Sequence, residues 1–406
     1  MAWMTPTQTA PRRRFSCAAV ALVLAIGTAA CVSSPSNDAE PQTPTEAEQA
    51  FLEAAGACVA AQVDVAHTRI VALRDATAQL ASSPTDANQT AAREAWLLAA
   101  DAVQVLEPMQ FGPGARSGNP GGEDLRDEIY SWPLTSRCVV EGGLVNKTYE
   151  TPAFDETLVT ARGLDALEYL LFSTSPDNGC NATNVINTSG SWAAIDADDL
   201  AARKRAYAAR AAASLVAASE RLRTGWTGDG SFANELVRAG QEGALFASGA
   251  VALNAITDAL FYIEKEGKDT KLARPMGLDV GATGTRPDTV ESRYALASLR
   301  HLRNNLDGAG RILLGCDAEY AGPGLDDVLA SRGATELAER VRVAHGAAAI
   351  ALAAVPTDDL AAALASAGEP LFAAFGAWKD LTDLLKLEIV VALGVRLPAT
   401  VAGDND

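Results

Sequence analysis

Two carboxylates three residues apart, Asp165 and Glu168, are the most chemically loaded feature of the sequence. They lie in the run 161–172 (ARGLDALEYLLF), where Leu164, Leu167 and Leu171 recur at the spacing of a buried helical stripe. On such a helix both acids emerge on one side, about one turn apart. Like charges at that spacing repel, and in apolar surroundings the cost is large unless a cation or a proton compensates. Oxygen donors of this kind suit hard cations such as Fe(III), Ca, Mg or Mn. Arg93, Arg162, Arg293 and Arg300 are the internal alternatives, since any of them could neutralise the pair with a bidentate guanidinium.

A carboxylate pair can also act as general acid and base. The chain has neither H-E-x-x-H nor G-x-S-x-G, however, and His67, His301 and His345 are scattered without metal-ligand spacing. His67 and His345 read as surface or half-buried residues; His301 is kept as a site candidate. The glycine-rich stretch 112–122 lacks the G-K-[ST] ending of a phosphate-binding loop and reads as a connector. Trp96, Phe111, Trp132 and Tyr169 read first as core packing. A third class of function is a docking lipoprotein that binds another envelope protein and no metal.

Helices must position these groups, because the chain is Ala-rich and shows no strand-like alternation. Expected helical runs are 46–80, one ending at Glu107, 123–130, the carboxylate run from about residue 154, 196–223, 232–266, 288–314, 325–355 and 369–393. Between them lie a long loop at 267–287 and a turn-rich stretch at 177–190. The basic band Arg203, Lys204, Arg205 and Arg210 reads as a solvated face partly paired with Asp196, Asp198 and Asp199. The run 225–230 (GWTGDG) is the expected boundary, giving an all-α chain of two packed helical bundles, residues 46–225 and 226–400.

Residues 1–30 read as a signal segment, with Arg12, Arg13 and Arg14 ahead of a short apolar run. Thr28-Ala29-Ala30-Cys31 looks like a lipobox, with Cys31 as the acylated residue and 31–45 as a flexible tether. Val32 is not the Asp that retains lipoproteins at the inner membrane. The expected location is therefore the periplasmic side of the envelope, lipid-anchored to the outer membrane. The formal net charge of −18 excludes a nucleic-acid partner, whose phosphates demand a basic surface, and favours cationic ligands. Cys58, Cys138, Cys180 and Cys316 suggest two disulfides in an oxidising compartment. Of three pairings, Cys58–Cys138 and Cys180–Cys316 are the expected ones.

Gly163-x-Asp165-x-x-Glu168 resembles the G-x-H-x-x-E signature of the imelysin family, with Asp where that family most often has His. Residues 91–96 (AAREAW) are similar to the family's A-R-x-A-W helix. Glu107 through Pro113 resembles its E-x-x-x-F-G-P segment, and 131–134 (SWPL) its W-P segment. Residues 271–278 (KLARPMGL), Glu291-Ser292, Asn304-Asn305-Leu306 and the tail 393–406 resemble its second half. The resemblance implies two helical bundles with the signature at their junction. It also implies an iron-regulated periplasmic lipoprotein that binds iron or an iron-containing ligand, with iron-transport proteins of the envelope as partners. On that basis Asp165 and Glu168 are expected metal ligands, with Arg93, Glu107, Trp132, Gly163 and Glu291 contributing to ligand binding. A peptidase-like hydrolase is the alternative, because some imelysin relatives are classed as peptidases.

Overall fold

The computed structural model describes residues 42–398 and Val401. The expected signal segment, the lipidation at Cys31 and most of the tether lie outside the described residues. Those residues are helical, with no strand among them and one isolated bridge between Gln42 and Ser248.

Thr45 starts the first long helix, α1 (Glu46–Ser82). Its hydroxyl accepts from the Glu48 amide while the Glu48 carboxylate accepts from the Thr45 amide, so two free backbone donors are satisfied. Thr85 caps α2 (Asp86–Leu106) in the same way through its hydroxyl. The short helices α3 (Leu125–Ile129) and α4 (Arg137–Asn146) precede α5 (Gly163–Phe172), the carboxylate helix. A single turn, α6 (Val185–Thr188), leads to α7 (Ala197–Trp226), capped by Asp196. Then come α8 (Phe232–Val237), α9 (Gly249–Leu260), a π-helical stretch (Ile263–Ala273) and α10 (Arg274–Met276). The chain continues through α11 (Ser298–Leu313), α12 (Leu325–Ser331), α13 (Thr335–Ala353), α14 (Leu360–Ser366) and α15 (Gly368–Leu384). A second π-helical stretch (Leu385–Ile389) and α16 (Val390–Leu393) follow.

Helix α1 packs along α2 and α7, α5 packs on α7 and α2, and α13 packs on α15. Helix α2 also packs on α11, which ties the carboxylate helix to the later part of the chain. The buried apolar residues form one continuous core from Phe51 to Val401. Leu164, Leu167 and Leu171 all sit in it, each stabilising the fold by roughly 2 kcal/mol. No single described helix is long and apolar enough to cross a membrane.

Several expectations need correction. The carboxylate helix starts at Gly163, not near residue 154. Residues 148–161 instead form successive 3-10 turns, one opened by Pro152. Gly163 itself has φ +83°, a left-handed conformation that breaks any helix running in from before it. Helix α4 falls where no element was expected. The expected loop 267–287 is π-helical as far as Ala273. Lys204 is not solvated: it is buried, donates to the Ser173 carbonyl at 2.9 Å and stands over the Tyr169 ring. His345 is likewise buried, with Nε2 3.0 Å from the Leu306 carbonyl oxygen.

The four cysteines form two disulfides, but with the other partners. Cys58 on α1 joins Cys316 just beyond α11, and Cys138 on α4 joins Cys180, with Cα separations of 5.7 and 4.7 Å. The turn-rich stretch after α5 folds back onto α4, where Asn184 also meets Cys138. Proximity in space therefore overrides the pairing guessed from order along the chain.

Candidate functional site

Helix α5 is fixed at both ends by α2. The Trp96 indole donates to the Leu164 carbonyl at 2.8 Å, and Gln89 and Arg93 both donate to the Leu171 carbonyl at 2.8 Å. Arg93, expected at the ligand, thus ties down the end of the helix and lies over the Phe172 ring. Gly163 is required by space as well as by φ: an added Cβ would come within 3.0 Å of the Ile129 carbonyl oxygen. The glycine lets α3 approach the first turn of α5.

Asp165 and Glu168 are nearly enclosed, at 8% and 5% exposure. Asp165 Oδ2 accepts from the Thr135 hydroxyl at 3.2 Å. Burial, reinforced by the charges of Glu168 and Glu291 and opposed by Arg126, pushes its carboxyl up to about 8. Glu168 Oε1 accepts from the backbone amides of Tyr294 and Ala295, both at 2.8 Å, and from the Ser292 hydroxyl at 3.3 Å. Burial still raises the Glu168 carboxyl above its ordinary value, despite those donors and the facing His301. The donors come from the turn 291–297, in which Ser292 and Leu296 take left-handed backbone (φ +50° and +58°). Non-glycine residues pay roughly 1–2 kcal/mol each for that conformation, so the turn is held in place by its contacts.

Glu291 lies in the same cluster and behaves in the opposite sense. Its Oε1 accepts from the Lys271 ammonium at 2.8 Å, from Gln104 at 3.3 Å and from the Tyr130 hydroxyl. Burial works to raise this carboxyl too, but Lys271 and His301 outweigh it and hold it at about 2. Glu291 Oε2 stands 3.4 Å from His301 Nδ1, yet neither atom makes a hydrogen bond, and His301 Nε2 also lacks a partner. Buried polar atoms without partners are rare in folded proteins.

The four arginines considered as neutralisers are all engaged elsewhere. Arg162 pairs with Glu128 and Arg300 with Asp101, Arg93 holds Leu171, and Arg293 lies over the Tyr294 ring. Glu107, expected at the ligand, is closed by a two-point ion pair with Arg126. Trp132 does border the cluster, with its ring 5.7 Å from Lys271 Nζ. Asp165, Glu168, Glu291, His301 and Trp132 are therefore brought together, whereas Arg93 and Glu107 have other work. Lys271, Tyr130, Gln104, Thr135 and Asn305 complete the cluster and were not anticipated. Lys271 and Asn305 lie in recognisable segments, but a buried lysine carries no periodic signal of its own.

Carboxylate oxygens are donors suited to hard cations, whereas an imidazole suits Zn, Cu, Fe or Ni. Among the described residues, no three His, Cys, Asp or Glu side chains are grouped so as to hold one ion. Among the described residues, Asp165 and Glu168 thus stand as a pair with no third such side chain grouped to complete a metal centre.

The imelysin family model matches residues 59–386. Two solved structures share the fold at a TM-score of 0.65. One, from Parabacteroides distasonis, is described as an iron-regulated protein A precursor; it is 18% identical, with 87% of this chain and 96% of that one covered. The other, an imelysin-like protein from Psychrobacter arcticum, is 20% identical, with 89% and 99% covered. No curated protein matches the chain.

Proposed function

The chain belongs to the imelysin family, and we propose that it binds iron, as a hard cation or an iron-containing ligand, at Asp165 and Glu168 during iron uptake. One observation carries this reading: two buried carboxylates share a helix face, and their hydrogen-bond partners are two hydroxyls and two backbone amides instead of a cation. Burying acids without a counter-charge costs several kcal/mol, and Asp165 meets that cost by keeping its proton. An arriving cation replaces the proton and gains two anionic oxygens in a site shielded from water. The relative from Parabacteroides distasonis, described as iron-regulated, supports iron as the metal.

The site works on the periplasmic side of the envelope, with Cys31 as the lipid anchor to the outer membrane and transport proteins of the envelope as recipients. The acidic net charge suits the capture of cations. Calorimetry with Fe(III) citrate tests the reading on the full chain and on the double variant Asp165→Ala/Glu168→Ala. Binding to the wild type that disappears in a folded double variant is the expected result. Equal binding by the two proteins would move the metal elsewhere, and no binding by either would end the iron-binding reading.

A further inference from the structure

We propose that Lys271 determines what this site accepts, because its ammonium occupies the cation position that Glu291 would otherwise present to a metal. The proposal rests on the cation-binding reading of Asp165 and Glu168 and adds to it the number of protein ligands.

Lys271 is presented by the π-helical stretch Ile263–Ala273, a backbone form that recurs at functional sites. Its Nζ has three acceptors, Glu291 Oε1, Gln104 Oε1 and Asn305 Oδ1, each at 2.8 Å. An ammonium has three donors, so all are used. Three aromatic rings surround the same atom, Tyr262 at 5.3 Å, Trp132 at 5.7 Å and Tyr130 at 6.0 Å from Nζ to centroid. Their faces stabilise a cation electrostatically. The aromatic box and three acceptors thus enclose a charge that belongs to the chain.

Two consequences follow for a ligand. Glu291 Oε1 is saturated by donors, and an incoming metal near it would meet a fixed like charge that water does not screen. Glu291 is therefore withheld, leaving Asp165 and Glu168 as the protein's two oxygen-donor side chains. Hard cations take about six oxygens, and those bound through one or two carboxylates keep the rest of their shell. The ligand class is then a hard cation that retains part of its own oxygen shell, as water or as a small oxygen chelator. Glu291 Oε2 and His301 Nδ1, 3.4 Å apart and without hydrogen bonds, are not held by Lys271 and are kept from a metal by its charge, so they are the donors that its removal would make available.

The test is calorimetric titration of the full chain with Mn(II), a hard cation soluble at neutral pH, and with Fe(III) citrate. It compares the wild type with Lys271→Met, Glu291→Gln and Lys271→Met/Glu291→Gln, with folding of each checked by circular dichroism. Lys271→Met is expected to bind Mn(II) at least tenfold more tightly than the wild type, and the double variant to lose that gain. Glu291→Gln alone leaves the Lys271 charge uncompensated beside the carboxylate pair and is expected to weaken binding of both ligands at least tenfold, whereas Lys271→Met/Glu291→Gln, which removes both charges, is expected to stay within threefold of the wild type. A folded Lys271→Met that binds no more tightly, or a folded Lys271→Met/Glu291→Gln that binds tenfold more weakly than the wild type, overturns the assignment. Should Lys271→Met fail to fold, Lys271→Met/Glu291→Gln decides: affinity within threefold of the wild type sustains the proposal, and a tenfold loss overturns it. Binding by Lys271→Met without binding by the wild type would sustain the role of Lys271 while ending the iron-binding reading. Absence of binding in every folded variant overturns both.

Discussion

Lys271 Nζ lies 2.8 Å from Glu291 Oε1, and each side chain is 1% exposed. A buried pair of this kind contributes little net stability against an apolar pair of the same shape, but removing one partner strands the other charge. Glu291→Ala is therefore expected to cost about 3–5 kcal/mol in urea unfolding. Lys271→Met/Glu291→Gln should cost less than the sum of its single variants, since neither charge is stranded. Additive losses in that double-mutant cycle would show that the two side chains are not energetically coupled.

Asp165 and Glu291 give stability opposite dependences on pH. Asp165 has its folded value raised from 3.8 to about 8, so the folded state holds a proton that the unfolded state has released. Its contribution is complete below the unfolded value and is lost as pH rises towards and through 8. Glu291 is depressed from 4.5 to about 2, so its contribution is present above pH 4.5 and lost as pH falls through 2. Thermal melts of metal-free protein between pH 6 and 9 should show declining stability in the wild type and a flatter profile in Asp165→Asn. A wild-type profile parallel to that of the variant would mean that Asp165 is ionised throughout.

Helix α5 was legible because the leucines around Asp165 and Glu168 follow one periodicity, and because Gly163 and Trp96 stand in recognisable motifs. The withholding of Glu291 was not legible. It depends on Lys271, Gln104, Asn305 and Tyr130 converging from four separate segments, and charge-neutral convergence leaves no pattern along a chain. The four arginines were reasonable neutralisers by type, but each found a nearer acid, carbonyl or ring. The π-helical stretch escaped because Lys268 and Lys271 beside Gly267 look like a polar loop, whereas Lys268 is buried against Glu264 at 3.1 Å. The disulfide partners escaped for a related reason: four cysteines fix a number of bridges, not their topology.

Glu168 also latches the turn that carries Glu291. Its Oε1 receives two backbone amides from a segment with two left-handed non-glycine residues. Glu168→Ala leaves both donors unpaired and is expected to destabilise the fold by roughly 2–4 kcal/mol. The loss should be local: hydrogen exchange at Tyr294 and Ala295 should rise at least tenfold while exchange in α7 changes little. Glu168→Gln keeps an acceptor oxygen and should preserve most of the protection. Equal loosening in the Gln variant would assign the latch to charge and not to hydrogen bonding.

The two disulfides differ in how much chain they close. Cys58–Cys316 spans a sequence separation of 258 residues and Cys138–Cys180 one of 42. Loop-closure entropy grows with the logarithm of that length, giving about 6 and about 4 kcal/mol respectively as upper estimates. Cys58 is embedded in α1 and Cys316 follows α11, so the longer bridge ties the start of the described fold to its second half. Cys58→Ala/Cys316→Ala is expected to lower the melting temperature more than Cys138→Ala/Cys180→Ala, measured without reductant at one protein concentration. The shorter bridge holds α4 against the turn after α5, where the Glu141 carboxylate accepts from the Gly179 amide at 2.7 Å and from Tyr169 at 2.8 Å. Its loss should increase exchange at Gly179 well before global unfolding. The reverse ranking of melting temperatures would mean that this local anchoring around Glu141 outweighs the entropy of the longer loop.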